Sequence, residues 1–473
     1  MEAAAISPTT AIPEAPRLKR VLGRRDLVLL FVVAVVNLNV VPSIAANGPV
    51  TIWLWLLALL FFFWPQGIAV VELSRRWPEE GGVYLWAKKS FGDFHGFLSG
   101  WCYWTNNVFY IPTVLLYLVG VAVYGLGERG RTLANQPSFT FMAALIALVA
   151  LVALNIRGLG VGKWVNNVGG IGTLATAIIL VVLGTVMFTA HGTSLTPADF
   201  RPAGADWRIV SAFGTICFGL VGLELGSVMG DEIRDPRRTV PGAVMIGGII
   251  SGLLYIGATL TLLIAVPQSQ IGILQGVLQA VSAMAGQAGA SWLIRPMVVL
   301  LTISIAGIAS AWLSGSARIP FVAGLDSYLP AALGRLHPRY ATPYIALAVH
   351  GLFSALFMVM SFAGATVKQA FDLMLALAVV LQLVPFLYVY AVLIRLGFAP
   401  QTGGGHYGKI VLRAAGISGL VTTALGMIVA FVPPREANFW PFELKMFAGV
   451  LFFIGLGAFF FFIYDRRQGP RPA

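Results

Sequence analysis

One carboxylate, Glu224, stands inside an otherwise apolar run, FGTICFGLVGLELGSVMGDE from Phe213 to Glu232, with Gly219, Gly222, Gly226 and Gly230 around it. A charge held at mid-membrane costs roughly 3 kcal/mol or more, so a retained one faces a bundle interior or water and is a functional group by default. Glycines three and four residues apart make one flat helix face for close packing. They also lower helix propensity by about 1 kcal/mol each relative to Ala, which predicts a break where freed backbone meets a solute. The carboxylate among the glycines favours the break. Gly222 and Glu224 are therefore candidate binding residues, and Glu224 is also a candidate for coupling binding to protons.

The first apolar run carries a second irregularity, since Asn37, Asn39 and Pro42 interrupt it within LFVVAVVNLNVVPSIAANGP. Proline lacks a backbone donor and clashes with the preceding turn, so the helix is expected to break or kink just before Pro42. Asparagines bonding a neighbouring helix beside an ordinary kink are the plainer alternative. Breaks in the first and sixth apolar runs occupy corresponding places in two halves, the pattern that points to a midplane site in a transporter built from inverted repeats. Val36, Asn37 and Asn39 join the candidate binding residues. Regular hydrogen bonding is expected to lapse near Val36–Asn39 and Leu220–Glu224.

These residues need a scaffold, and composition names its class. Hydrophobic residues make up 58% of 473 positions and charged ones 11%, as in integral membrane proteins. Runs long enough to cross about 30 Å of hydrocarbon number twelve, near 27–48, 50–71, 94–124, 139–157, 164–190, 208–230, 239–267, 291–318, 343–362, 370–396, 410–431 and 443–465. The fold class is thus an all-α polytopic membrane protein of 12 transmembrane helices. The net charge of +12 falls mostly in alternate loops and in both tails. By the positive-inside rule that puts both termini in the cytoplasm of a cell membrane protein, and it makes the basicity topological, with no nucleic acid partner. Residues 1–26 read as a disordered cytoplasmic tail and 466–473 as a second cytoplasmic tail. Cys102 and Cys217 fall inside spans, so neither a disulfide, a metal site nor another cofactor is indicated. Glu72, at a membrane edge, is expected to pair with a basic residue at another helix end, Arg318, and to help close an inner gate.

The stretch E-L-x(4)-P-x-x-G-G-x-Y, from Glu72 to Tyr84, resembles the loop after the second helix of amino acid–polyamine–organocation superfamily permeases. GDEIRDPRRTVPGA (230–243) and LPAALGRLHPRYATP (329–343) are similar to that family's loops after its sixth and before its ninth helix. EEGGVYLW and IPTVLLYLVGVAVY look closest to the bacterial glutamate/GABA antiporters and their relatives. The resemblance implies the LeuT-type 5+5 fold: a first inverted repeat over 27–190, a second over 208–396, two further helices over 410–465, and substrate between broken helices 1 and 6. It also implies roles for Glu224 as the acidic position of the sixth helix, Asn107 as a third-helix polar contact, Phe218 as an aromatic gate and Trp312 as an eighth-helix site aromatic. Two positions depart from the family pattern. Val35, Val36 and Asn37 replace first-helix glycines that let backbone N–H groups approach a carboxylate, and Thr173 stands where some permeases carry a lysine.

The function expected is a secondary active transporter of amino acids or related organic amines working by alternating access, as an exchanger or coupled to protons. A polyamine or organic cation transporter is the alternative. A membrane-embedded enzyme would need paired carboxylates or a nucleophile with its base, and a channel would need rings of charge or filter repeats; the spans offer neither.

Overall fold

The computed structural model describes residues 20–201, 207–362, 366–400, 405–432 and 439–468. Most of the expected N-terminal tail, 1–19, and the end of the C-terminal one, 469–473, lie outside the described residues. Among those described every regular element is helical, and a lone parallel bridge between Leu22 and Ile233 is the sole β pairing. The elements that matter here are α1 (Arg24–Val35), α2 (Val41–Ala45), α3 (Thr51–Arg76), α4 (Val83–Phe91), α5 (Asp93–Ala122), α6 (Pro137–Ile156) and α7 (Leu159–His191). They continue with α8 (Trp207–Gly219), α9 (Leu225–Val228), α10 (Pro236–Ala265), α11 (Gly276–Gln287), α12 (Ile294–Ser316) and α13 (Arg318–Leu325). The last four are α14 (Tyr344–Phe362), α15 (Val367–Phe398), α16 (Lys409–Val429) and α17 (Phe439–Gln468).

Nine helices among the described residues are long and apolar enough to cross a membrane. The other three expected spans differ for local reasons. The runs 27–48 and 208–230 are each split into two short helices, and the apolar part of α14 is confined to Tyr344–Met360. The tail boundary also moves. Val21 and Leu22 both donate their backbone N–H to the carbonyl of Glu232, each at 3.0 Å, so the chain joins the fold before residue 26.

Backbone polar groups inside a bilayer need partners within the protein, and α3 shows how the sequence supplies them. Pro65 has no N–H for the carbonyl of Phe61 and crowds the turn before it, and residues Leu59–Phe63 widen into a π-helical turn. Ser418 Oγ of α16 donates to the Phe61 carbonyl at 3.0 Å, and Tyr390 of α15 donates its hydroxyl to that of Phe62 at 2.8 Å. A proline defect in one helix thus becomes a tie to two others. Where α7 crosses α12, glycine faces glycine: a Cβ on Gly169 would lie 2.5 Å from the Gly307 Cα. Thr173, one turn along, shares a 2.5 Å hydrogen bond with Ser304 across the same contact. Two helices meeting without side chains between them is the close approach small residues allow in membranes.

Candidate functional site

Both interruptions overlap the stretches expected from the sequence. Helix α1 stops at Val35 and α2 starts at Val41; α8 stops at Gly219 and α9 starts at Leu225. Gly222 holds φ at +141°, a conformation glycine adopts without penalty, and a Cβ there would sit 2.9 Å from Val35 Cγ2 and 3.0 Å from the Ala34 carbonyl carbon. The two breaks therefore touch at Gly222. Tyr255 of α10 ties them further, because its hydroxyl lies against the carbonyls of both Gly219 (2.7 Å) and Val35 while accepting the Asn37 N–H at 2.9 Å.

Freed carbonyls at these ends are capped by side chains. Asn37 Nδ2 (3.1 Å) and Trp312 Nε1 (3.1 Å) both donate to Ala34 O. Glu224 has no exposed surface and turns back into its own break. Its Oε2 accepts from the Gly222 N–H at 2.9 Å and from Gln66 Nε2 at 3.0 Å, and its Oε1 accepts the Tyr103 hydroxyl at 3.1 Å. Among the described residues these donors hold the carboxylate and no cation pairs with it.

Beside that satisfied group lies an unsatisfied one. Among the described residues neither polar atom of the Asn39 side chain nor the Tyr110 hydroxyl makes a hydrogen bond of good geometry, and the two side chains face each other at the margin of bonding. Both residues are 1% exposed. Asn37 Oδ1 and Asn107 Oδ1 are likewise without partners, although Asn107 Nδ2 donates to the Tyr103 carbonyl at 2.9 Å. Leaving a buried polar group unpaired costs about 1–3 kcal/mol, a cost that a further partner would relieve. Aromatic rings close around it: Tyr110 meets Phe218 edge-on with centroids 5.0 Å apart and Trp312 at 6.0 Å. A cleft of about 430 Å³, lined by Ser43, Ile44, Thr215, Asp372 and Val379 among others, opens beside α2 and α8.

Val36, Asn37, Asn39, Phe218, Gly222, Glu224 and Trp312 are thus gathered about the two breaks, and Asn107 shares the α5 face of Tyr103 and Tyr110, its neighbours at the spacing of a helix turn. His350 packs edge-on to Trp104, 3.4 Å from Ser316 Oγ. Sequence reasoning missed Gln66, Tyr103, Tyr110 and Tyr255.

The expected pairing of Glu72 with Arg318 is corrected. Glu72 bonds Arg76 one turn along its own helix at 2.7 Å and accepts the N–H groups of His406 (2.7 Å) and Tyr407 (3.0 Å). Local i,i+4 geometry takes that carboxylate first. Arg318 instead reaches both carboxylate oxygens of Glu232, at 3.0 and 3.2 Å, with Glu80 Oε1 4.0 Å from its Nε. This cluster knits the loop 77–82 to the loop 230–235. Gly81 donates to the Val228 carbonyl at 3.2 Å, and Ser74 and Ser227 share a 2.6 Å hydrogen bond above it.

The comparison that decides kinship spans most of the chain: the family model described as "Amino acid permease" matches residues 22–458. The chain belongs to the amino acid permease family. This permease is 26% identical over 447 residues to an uncharacterized transporter of Legionella pneumophila, covering 92% of this chain and 95% of that one. It is 23% identical to the branched-chain amino acid permease of Bacillus subtilis, over 72% of this chain and 74% of the other. It is also 22% identical to the "Probable agmatine/putrescine antiporter" of Lactococcus lactis, over 67% of each. Family and apolar helices together make it a multi-pass membrane protein of the transporter rather than the enzyme kind.

The hydroxyl that joins the two breaks yields a first expectation. Tyr255→Phe keeps the ring stacked on Trp55, whose centroid is 4.4 Å away, but strips the Gly219 carbonyl of its partner and leaves the Asn37 N–H to the Val35 carbonyl, at 2.8 Å. A loss of about 1–3 kcal/mol follows for buried groups left unpaired. It should appear as a lower thermal midpoint of purified protein, and an unchanged midpoint would mean that water replaces the hydroxyl.

Proposed function

We propose that this permease is a secondary active transporter of amino acids or related organic amines, binding substrate between its two broken helices and exchanging it by alternating access. The observation that carries the reading is the buried, unpartnered set of Asn39, Tyr110, Asn37 Oδ1 and Asn107 Oδ1 beside the touching breaks. Amides and a phenol offer both donors and acceptors, which suits the paired ammonium and carboxylate of an amino acid. Counting α1 with α2 and α8 with α9 as single interrupted spans gives twelve, divided as inverted repeats over 27–190 and 208–396 with 410–465 outside them. Both termini then lie in the cytoplasm of a cell membrane protein, and the cleft beside α2 and α8 becomes the outer approach. The Glu80–Arg318–Glu232 cluster becomes the inner barrier, with Glu72 bracing α3 against residues 406–407.

An amine or polyamine substrate is the second reading. It is supported by the aromatic faces of Trp312, Phe218 and Tyr110, which attract a cation, and by the agmatine/putrescine name of one relative. Proteoliposomes preloaded with branched-chain amino acids, glutamate, agmatine or putrescine separate the two: saturable exchange is expected with one class. Exchange of none, or flux without saturation, would reject the transporter mechanism.

Trp312 tests the site within that assay. Trp312→Phe keeps a ring but loses the bond to the Ala34 carbonyl, and one hydrogen bond is worth about 0.5–1.5 kcal/mol. The apparent substrate constant should rise roughly two- to twelvefold by that figure. An unchanged constant in folded protein removes Trp312 from the pathway.

A further inference from the structure

Charge does not balance at the Arg318 cluster. Arg318, Glu80 and Glu232 are 2%, 7% and 1% exposed, so two carboxylates are buried against one guanidinium. Arg318 spends NH2 on Glu232 and NH1 on the carbonyl and hydroxyl of Ser314, leaving only Nε, 4.0 Å away, to face Glu80. Glu80 Oε2 accepts the Asp231 N–H at 3.0 Å, and Glu80 Oε1 has no hydrogen-bond partner. Among the described residues the further charged neighbours are the exposed Asp231, which faces Arg20 and the exposed Glu79. Asp231 and Arg20 offset each other near the surface, so the surplus negative charge belongs to the buried pair. An unpaired buried charge is neutralised rather than kept.

We propose that Glu80 is a proton-binding site of the inner barrier, occupied when that barrier is closed and emptied when it opens. Loop 77–82 meets loop 230–235 backbone to backbone here, and a Cβ on Gly230 would lie 2.3 Å from the Pro78 carbonyl oxygen. Parting these loops admits water to Glu80 and separates it from Glu232. Burial first, and the Glu232 charge second, hold the Glu80 carboxyl well above the ordinary carboxylate range, against the opposing pull of Arg318. A sodium ion is a poor substitute, because hard cations take six or so oxygens while Arg318 Nε points its positive charge at the free oxygen. No metal-holding group of acidic residues occurs among the described residues. The closed form binds more protons than the open one, so lowering cytoplasmic pH favours closure and raising it favours opening.

The inner-barrier role rests on the alternating-access reading, but occupancy of the site does not, so the test reads protonation directly. Purified full-length protein in the Glu224→Gln background is titrated in sodium-free buffer and followed by infrared difference spectroscopy of the protonated-carboxyl band. A band present at neutral pH is expected to vanish on adding Glu80→Gln. It should also vanish with Glu232→Gln, since Arg318 is then free to neutralise Glu80. A band undiminished in either folded variant overturns the proposal. With the band so assigned, exchange that ignores internal pH would reject the barrier role alone, and absence of exchange would reject the transport reading while leaving the proton site standing.

Discussion

Exchange by the Glu224→Gln protein is expected to run at one rate across the span of about two units of external pH in which the native protein's rate changes, the breadth of a single titration. The contacts make glutamine a fair replacement in every respect but charge. Its carbonyl oxygen can accept from the Gly222 N–H and Gln66 Nε2 as Oε2 does, and its amide can donate to the Tyr103 hydroxyl, which turns to accept. Folding should survive and only the titration disappear. Glu224→Ala is different, because it leaves the Gly222 N–H, the Gln66 amide and the Tyr103 hydroxyl without their acceptor. At about 1–3 kcal/mol for each buried group, loss of folded protein is expected. Preloaded proteoliposomes at fixed internal pH measure the first variant and thermal midpoints the second. A Gln variant that keeps the full native pH profile would make Glu224 a structural cap on its own break.

Gly222→Ala should abolish exchange and lower stability by about 3 kcal/mol or more. A side chain at φ +141° is strained by about 1–3 kcal/mol, and its Cβ would press on Val35 Cγ2 and the Ala34 backbone at 2.9–3.1 Å. Backbone does not yield as a flexible side chain does, and overpacking adds about 1–3 kcal/mol. Gly248→Ala on α10 is the matched control. Its Cβ would meet only Phe63, at 3.5 Å, an ordinary contact, so its stability should stay within about 0.5 kcal/mol of native by the usual small effect of benign substitutions. Equal midpoints for the two variants would show that the breaks do not touch in the working protein.

Much of this arrangement could be read from the chain because its causes are local. Pro42 and the glycines about Glu224 act on their own backbone, and long apolar runs announce themselves by length. What stayed hidden depends on partners far away in sequence. Gln66 meets Glu224 158 residues on, and Tyr255 meets Asn37 218 residues back; a single tyrosine or glutamine in an apolar helix has no spacing that says which neighbour it faces. The Glu72–Arg76 pair was visible as i,i+4 and should have outweighed a distant partner. Arg318 turns instead to Glu232, inside the 230–243 motif whose family resemblance says nothing of an ion pair. Pro65 signals a defect in α3, but that Ser418 and Tyr390 repair it follows from packing alone.

The carbonyls of Ala34, Val35 and Gly219 are already occupied by Asn37, Trp312 and Tyr255, so a solute lodged between the breaks as proposed would find these three acceptors taken and side chains beside them. Main-chain recognition is common to every sequence that keeps a fold, whereas side-chain recognition changes with one codon. If Asn39, Asn107 and Tyr110 contact the cargo as proposed, selection can retune what this protein carries without rebuilding the breaks.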